Sequence, residues 1–213
     1  MKRIVVVDYG SGNLRSVSKA LEAVAGAGAE VIVSSDPAVV EAADRIVLPG
    51  QGAMGDCMRH LQASGLEEAV RHALAEKPVF AVCIGLQMLF EESEENGARG
   101  LGIFPGRVIR FPETAMRETS GRRLKVPEMG WNRVVQTCAH PLWNGIESGA
   151  WFYLVHSYFA APADASMIAG ITSYGLPYAS AVSRENIFAT QFHPEKSAAA
   201  GLKLYENFIK WTP

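Results

Sequence analysis

The chain has 213 residues, a formal net charge of −2 and three cysteines, Cys57, Cys83 and Cys138. Neither this charge balance nor any run of Lys or Arg indicates binding to nucleic acid. An odd number of widely spaced cysteines, with no Cys-x-x-Cys pair, argues against a disulfide framework and a zinc site. No apolar stretch is long enough to cross a membrane, and the first residues do not resemble a signal peptide. We therefore expect a cytoplasmic protein that does not act at a membrane.

The first half of the chain alternates between predicted strands and predicted helices. Short β-branched runs indicate buried strands, and apolar residues at helical spacing indicate helices. The predicted strands are residues 3–7, 30–34, 45–48 and 79–82, and the predicted helices are residues 13–27, 66–75 and 84–92. This alternation predicts a mostly parallel central sheet flanked by helices.

The second half has many strand-like runs and few helices between them. The predicted strands are residues 108–110, 133–135, 151–158, 167–171, 178–183 and 187–191. Antiparallel or mixed pairing is expected there, with a final helix over residues 198–211. Residues 111–125 are polar and are expected to form an exposed loop. The fold class is therefore α/β with additional antiparallel or mixed strands in the C-terminal half, in a single domain spanning residues 1–213.

Cys83 stands where a buried strand is followed directly by a helix, with the small residues Ala81 and Gly85 two positions away on either side. This is the layout of a nucleophile elbow, whose tight turn tolerates no bulk at those neighbours. The start of the next helix favours a thiolate, and the N–H of Ile84 is placed to stabilise an oxyanion. A buried structural cysteine is the alternative, and the pattern alone leaves both open. A structural role is favoured for the other two cysteines.

His193 and Glu195 stand two residues apart at the end of a strand-like run, with Pro194 between them. In extended chain, side chains at i and i+2 point the same way, so the carboxylate can accept the second ring N–H of the imidazole. Together with Cys83, these residues make a nucleophile, a base and an orienting group for acyl transfer. The alternative is a surface histidine in a turn. No pair of histidines has the spacing of metal ligands, so no metal is expected.

Two glycine-containing loops follow predicted strands. Residues 49–52, Pro-Gly-Gln-Gly, can approach a ligand closely because two glycines relax the backbone. Loops at the carboxyl ends of parallel strands line the ligand crevice, so this loop is expected to face Cys83 and to offer a backbone N–H near Gln51. An ordinary tight turn is the alternative. Residues 10–13 begin like a dinucleotide fingerprint, but Arg15 replaces the third glycine, so no nicotinamide or flavin cofactor is expected.

In combination, Pro-Gly-x-Gly, the Cys83 elbow with Gln87, and Phe-His-Pro-Glu at residues 192–195 resemble the triad-type (class I) glutamine amidotransferase family. The resemblance spans nearly the whole chain in the family's motif order. Several segments resemble more specifically the branch of glutaminase subunits of imidazole glycerol phosphate synthase: residues 8–13 (Asp-Tyr-Gly-Ser-Gly-Asn), 125–127 (Lys-Val-Pro), 129–132 (Met-Gly-Trp-Asn), 156–158 (His-Ser-Tyr) and 193–196 (His-Pro-Glu-Lys). One departure is Glu128, where the family usually carries His. That position bears on the partner contact and not on the triad.

The resemblance implies a glutaminase that needs no cofactor. It implies that the Cys83 thiolate attacks the side-chain amide of glutamine, that His193 protonates the departing ammonia, and that Glu195 orients His193. Backbone N–H groups of Gln51 and Ile84 would form the oxyanion hole. The residues implied in holding glutamine are Gly50, Gly52, Gln87, Glu95, Ser157 and Tyr158.

The resemblance also implies a heterodimer with the separate, barrel-shaped cyclase subunit of imidazole glycerol phosphate synthase. That subunit would use the ammonia to make imidazole glycerol phosphate and an aminoimidazole carboxamide ribotide in histidine biosynthesis. The implied contact face includes Asn13, Trp131, Asn132, Tyr153 and Lys196.

Two alternatives remain at this point. A glutaminase subunit for anthranilate or pyridoxal phosphate synthesis would share the triad, but the segments at residues 8–13 and 129–132 and the lysine after Glu195 weigh against it. A non-enzymatic binding module of the same fold is the other, and the intact triad weighs against that.

Overall fold

The structure is a computed structural model that describes residues 1–118 and 121–213. One twelve-stranded sheet runs through these residues, with helices packed against it. The predicted α/β class is confirmed. The strands in the described residues are β1 (Lys2–Val7), β2 (Ala29–Ser34), β3 (Arg45–Gly50), β4 (Val79–Cys83), β5 (Phe90–Ser93), β6 (Phe104–Arg110), β7 (Glu128–Gln136), β8 (Ala150–His156), β9 (Tyr158–Pro162), β10 (Ile168–Tyr174), β11 (Leu176–Arg184) and β12 (Ile187–Thr190). The α-helices are α1 (Leu14–Ala25), α2 (Pro37–Glu41), α3 (Met54–Ala63), α4 (Glu67–Glu76), α5 (Ile84–Met88) and α6 (Ala198–Lys210).

The parallel part of the sheet has the strand order β2-β1-β3-β4-β12. Every residue of β3, β4 and β12 is buried, which explains why these strands are continuous apolar runs without alternation. In the register, Gly50 of β3 pairs with Cys83 of β4, and Thr190 of β12 pairs with Val82. The carboxyl ends of three strands therefore lie side by side, and each is followed by a segment with predicted site residues.

The antiparallel pairing expected for the second half is confirmed. From β12 the sheet continues through β11, β10 and β7 to β8. The single strand predicted over residues 151–158 is wrong, because the chain divides at Ser157 into β8 and β9. These two strands have different partners: β8 pairs with β7, whereas β9 pairs with β6 and β11.

The helix predicted over residues 84–92 ends at Met88, and the residues after it form β5. Strand β5 pairs with β6, and the ring of Phe90 lies 5.7 Å from that of Phe104. Pairing and burial in the sheet thus outweigh the local helical pattern. Helices α2 and α3 were not predicted, although Met54, Cys57, Met58 and Leu61 give α3 one buried face at helical spacing.

The exposed loop predicted over residues 111–125 is partly wrong. Phe111 is 1% exposed and Met116 is 2% exposed. The ring of Phe111 packs 4.8 Å from Phe159 and 5.4 Å from Tyr178, so this segment covers the antiparallel part of the sheet. Thr119 and Ser120 lie outside the described residues. No helix within the described parts of the chain combines the length and the apolar character that a membrane crossing requires.

Helix α6 packs closely on the turn that carries His193 and Glu195. Gly201, on the first half of this helix, lies so near the turn that a Cβ there would overlap the carbonyl oxygen of Pro194. Its own N–H also bonds to the Ser197 carbonyl at 3.1 Å. A glycine is therefore required by the close approach of two backbones and not by helix propensity.

We expect Gly201→Ala to destabilise the protein by about 1–3 kcal/mol or more, because the added methyl must push the turn away from α6. If there were no clash, replacing glycine by alanine in a helix would stabilise the protein by up to ~1 kcal/mol. A loss of stability would therefore show that the clash is present. The control is Gly28→Ala, where a Cβ would meet no atom within 4 Å. Denaturant unfolding of both variants measures the difference. Equal stability of Gly201→Ala and the unsubstituted protein would contradict the close approach.

Candidate active site

Cys83 is the last residue of β4 and has a left-handed backbone, with φ of 57°. A non-glycine residue rarely adopts this conformation unless the surroundings impose it. The surroundings here are tight, since a Cβ on Gly85 would overlap the carbonyl oxygen of Leu48 on β3. Helix α5 follows directly and begins with Ile84, but it has only five residues. A helix this short offers Cys83 only the free backbone N–H groups of a single turn.

His193 and Glu195 are directly hydrogen bonded, with 2.8 Å between Nδ1 and Oε1. Their side chains are 4% and 0% exposed. The predicted contact is thus present, but the predicted reason is incomplete. Residues Pro194–Lys196 form a 3₁₀ turn, so the two side chains meet across a turn and not along an extended strand. Asn13 approaches the same carboxylate oxygen, with Nδ2 at 3.3 Å.

The imidazole of His193 is held as a cation. Burial lowers its pKa, but the negative charges of Cys83 and Glu195 and the hydrogen bond to Glu195 outweigh burial and raise the pKa to about 10. At neutral pH the ring is therefore protonated, with Glu195 on one side and the Cys83 sulfur on the other. An imidazolium beside a sulfur is the arrangement that a cysteine nucleophile requires.

The backbone of His193 is fixed from strand β8. The N–H of His193 donates to the carbonyl of Tyr153 at 2.9 Å. Ser197 completes the attachment, because its hydroxyl accepts from the N–H of Tyr153 at 3.0 Å and donates to the carbonyl of His193 at 2.6 Å. The turn and strand β8 are thus joined by main-chain groups of Tyr153 and His193, directly and through the Ser197 hydroxyl.

The loop after β3 is braced by the segment after β1. The Tyr9 hydroxyl donates to the Pro49 carbonyl at 2.6 Å, and the Ser11 hydroxyl donates to the Gln51 carbonyl at 2.9 Å. The thiol of Cys57 donates to the same Gln51 oxygen at 3.3 Å, which gives this buried cysteine a structural contact. Burial raises the pKa of Tyr9 well above its usual value, so its hydroxyl keeps the proton it donates. Tyr9 and Ser11 were missed as individual residues by the sequence analysis, although they lie in the segment of residues 8–13.

A pocket of about 300 Å³ lies in front of Cys83. This is the lower end of the usual range for ligand sites and suits a small substrate. Predicted site residues that line it are Gln51, Gly52, Cys83, Ile84, Gln87, Glu95, Ser157, Tyr158, His193 and Lys196. Gly50 is not among the lining residues. A Cβ there would lie 2.7 Å from the Gly85 nitrogen, so Gly50 supports the elbow from below.

Two polar residues of the pocket wall have defined partners. The Glu95 carboxylate accepts from the backbone N–H of Met54 at 2.9 Å, at the start of α3. Gln87 is 1% exposed, and its amide nitrogen donates to the Tyr158 carbonyl at 3.0 Å and to the Gln191 side-chain oxygen at 3.1 Å. Gln191 was given no role by the sequence analysis. The only feature of the sequence that could have indicated a role for it is that it lies two residues before His193.

Three of the five predicted interface residues lie together, on β7, on β8 and on the turn that carries His193. Trp131 pairs with Tyr153 across the two strands and is 50% exposed. The Lys196 ammonium lies 5.6 Å from the centre of the Tyr153 ring. Asn132 instead donates to Glu128 at 2.8 Å and to the Ser173 carbonyl at 3.0 Å. Asn13 contacts Glu195.

Glu128 is 3% exposed and does not present itself at the surface. Its carboxylate accepts from the Tyr178 hydroxyl at 2.7 Å. Of the predicted interface residues, Asn132 is the one that bonds to it. No group of three or more His, Cys, Asp or Glu side chains suited to a metal ion occurs within residues 1–118 and 121–213.

Comparison with known proteins identifies the family. The family model for class-I glutamine amidotransferases matches residues 5–211. The chain belongs to the class-I glutamine amidotransferase family. A relative from Aromatoleum aromaticum is 59% identical over 213 residues, which is 100% of both chains. A relative from Dechloromonas aromatica is 59% identical over 210 residues, which is 99% of this chain and 97% of the relative. Both are named imidazole glycerol phosphate synthase subunit HisH.

Solved structures support the fold at low sequence identity. A crystal structure of a glutamine amidotransferase has a TM-score of 0.70 and 20% identity, covering 97% of each chain. A glutamine amidotransferase from Thermotoga maritima has a TM-score of 0.61 and 13% identity, covering 91% of this chain and 76% of that one. The arrangement of strands around Cys83 is therefore that of a known fold.

We expect Tyr9→Phe to destabilise the protein by about 1–3 kcal/mol, because the buried Pro49 carbonyl loses its hydroxyl donor. The control is Tyr174→Phe, whose hydroxyl donates to the exposed Lys125 carbonyl. That change should stay within about 0.5 kcal/mol, as surface substitutions do. Urea unfolding of both variants tests the contrast, and equal effects would show that Tyr9 does not brace the loop.

Proposed function

We propose that this protein hydrolyses glutamine to glutamate and ammonia by covalent catalysis at Cys83. The observation that carries the proposal is the buried His193–Glu195 pair beside a cysteine on a strand-to-helix elbow, in a chain of the glutamine amidotransferase family. Cys83 is the nucleophile, His193 is the acid and base, and Glu195 orients the imidazole.

The reaction proceeds in two stages. The Cys83 thiolate attacks the side-chain amide carbon of glutamine, and the negative charge moves to the amide oxygen. Collapse of this intermediate breaks the C–N bond, and the His193 imidazolium gives its proton to the departing ammonia. The raised pKa of His193 supports this role, because the ring enters the reaction protonated. His193 then activates a water molecule, which hydrolyses the thioester to glutamate and restores the thiolate and the imidazolium.

The pocket supplies groups for each part of the substrate. The N–H groups of Gln51 and Ile84 stabilise the oxyanion, and the contacts of the loop carbonyls with Tyr9 and Ser11 support this assignment. The Glu95 carboxylate complements the α-ammonium group of glutamine. The residues that hold the substrate are Gly52, Gln87, Glu95, Ser157 and Tyr158, and Gly50 contributes indirectly by packing against the elbow.

The ammonia passes to a second protein. Relatives that match this chain from end to end are named as subunits of imidazole glycerol phosphate synthase, which supports a heterodimer with the barrel-shaped cyclase subunit. There the ammonia is used in making imidazole glycerol phosphate and an aminoimidazole carboxamide ribotide, in histidine biosynthesis. Direct transfer has a chemical reason, since free ammonia is mostly protonated at neutral pH and is then not nucleophilic.

The docking face of this proposal is formed by Trp131, Tyr153 and Lys196, together with Asn13 and Asn132. Exposed apolar side chains support it, since Trp131 and Trp151 are each 50% exposed on neighbouring strands. Residues 1–213 act as one glutamine amidotransferase domain, which the continuous sheet supports. The cytoplasm is the expected compartment, and three free cysteines support it.

We expect Cys83→Ser to reduce glutamine hydrolysis by on the order of 10⁴-fold or more, because the nucleophile is lost while the fold is kept. The matched control is Cys138→Ser, at an exposed cysteine. It should retain full activity. A glutamine analogue with an electrophilic carbonyl should label Cys83 alone, as mass spectrometry of the peptides would show. Labelling of Cys57 in place of Cys83, or undiminished hydrolysis, would overturn the assignment.

We expect Trp131→Ala to weaken binding of a cyclase subunit by roughly 30-fold, as loss of a buried aromatic anchor does. The control is Val33→Ala on β2, a strand at the other end of the sheet path that is also exposed, at 42%. Calorimetric titration gives both affinities. Hydrolysis should also rise when the cyclase subunit and its nucleotide ligand are added. Unchanged binding of Trp131→Ala would contradict the assignment of this face. Equal rates of glutamine hydrolysis with and without the cyclase subunit would contradict the coupling between the two subunits.

A further inference from the structure

Two buried side-chain amides link the pocket wall to the Cys83 sulfur. Gln191 is 0% exposed and follows β12 directly. Its oxygen accepts from Gln87 at 3.1 Å, and its nitrogen lies 3.7 Å from the Cys83 sulfur, within hydrogen-bonding range for sulfur. The backbone N–H of Gln191 donates to the Ser180 carbonyl at 2.9 Å. All of these groups come from elements that meet at the carboxyl ends of the parallel strands.

The orientation of both amides is determined by their partners. The Gln87 nitrogen faces two oxygens, the Tyr158 carbonyl at 3.0 Å and the Gln191 side chain at 3.1 Å. Turning the Gln87 amide over would set oxygen against both of these oxygens. Turning over the Gln191 amide would set its nitrogen against the Gln87 nitrogen. The remaining arrangement directs an N–H of Gln191 at the sulfur.

We propose that Gln191 donates a hydrogen bond to the Cys83 thiolate and favours the charged form of the sulfur. Cys83 is 4% exposed, so its thiolate has little access to water and needs donors from the protein. A hydrogen bond to a charged acceptor is stronger than one between neutral groups. An amide also keeps its protons throughout turnover, whereas His193 gives one to the departing ammonia. Gln191 thus remains a donor when the thiolate is formed again.

The titratable groups that act on the sulfur or lie behind it are His193, which follows β12, Tyr9, which follows β1, and Glu195. The pocket that Cys83 lines also contains the titratable side chains of Glu95, His156, Tyr158 and Lys196. A substitution at Gln191 replaces none of these side chains. This inference rests on the proposed function, because it treats the Cys83 sulfur as a nucleophile. The alternative is that Gln191 only satisfies the buried amide of Gln87.

The experiment follows alkylation of Cys83 by iodoacetamide over a series of buffers from acid to alkaline pH. Mass spectrometry of the Cys83 peptide reports the rate, and the exposed Cys138 in the same sample is the internal reference. The variants are Gln191→Leu, which removes the donor, and Gln191→Glu, which keeps the shape and the acceptor for Gln87 but replaces the donating NH₂ by oxygen. Ser180→Ala is the control, since it removes a buried hydroxyl from the residue whose carbonyl accepts from Gln191.

We expect the midpoint of the alkylation profile to move up by about one pH unit in Gln191→Leu, so that the rate below the midpoint falls about tenfold. Gln191→Glu should shift in the same direction, because a carboxylate near the sulfur disfavours the thiolate. Ser180→Ala and the Cys138 reference should not move. Should Gln191→Leu fail to fold, Gln191→Met decides the question, because it removes the donor without adding a charge, whereas the shift in Gln191→Glu would follow from charge repulsion alone.

Profiles of the Gln191 variants that superimpose on that of the unsubstituted protein would overturn the proposal, as would an equal shift in Ser180→Ala. The measurement needs no turnover, so it is separate from the proposed function. Absence of glutamine hydrolysis by the unsubstituted protein would count against the proposed function, with the alkylation profiles still interpretable. In an active protein, we expect Gln191→Glu, which keeps the acceptor for Gln87, to lower kcat with little change in KM, since the thiolate matters in the chemical step.

Discussion

Strand β4 pairs in parallel with β3 on one side and with β12 on the other, and this pairing determines where every proposed catalytic group lies. Parallel neighbours end at the same edge of a sheet, so the chain leaves the sheet three times within a few ångströms of one point. The glycine loop lies at the end of β3, Cys83 ends β4, and Gln191 and His193 follow β12. Cys83 and Gln191 are 108 residues apart in sequence, yet no flexible segment is needed to bring them together.

The reacting groups are then oriented by buried polar contacts and not by exposed loops. Glu195 and His193 are bonded to each other with almost no exposure, and Gln87 and Gln191 form a second buried pair. Buried polar groups without partners cost free energy, so each such pair has few alternative arrangements. The glycine loop follows the same principle, since hydroxyls of Tyr9 and Ser11 hold its carbonyls. These contacts hold the groups in their relative positions without a substrate.

The sequence predicts best those features that depend on neighbouring residues. The buried runs of β3 and β4, the elbow at Cys83 and the contact of His193 with Glu195 are all encoded within a few positions. Features set by distant contacts are harder to predict. The turn of the chain into β5 depends on pairing with β6, and burial of Phe111 depends on rings from β9 and β11. Gln191 has no local pattern of its own, because its partners lie on other elements.

The attachment of the His193 turn to β8 has a consequence for how such proteins diverge. The bonds at Tyr153 use its main-chain N–H and carbonyl, and nineteen of the twenty amino acids offer both. Its ring, in contrast, lies beside Trp131 and Lys196 at the surface. Substitutions at this position can therefore adapt the side chain to a new neighbour without displacing the imidazole of His193. In the proposed function, partner recognition uses the side chain of Tyr153, whereas the position of the His193 imidazole depends on its main chain.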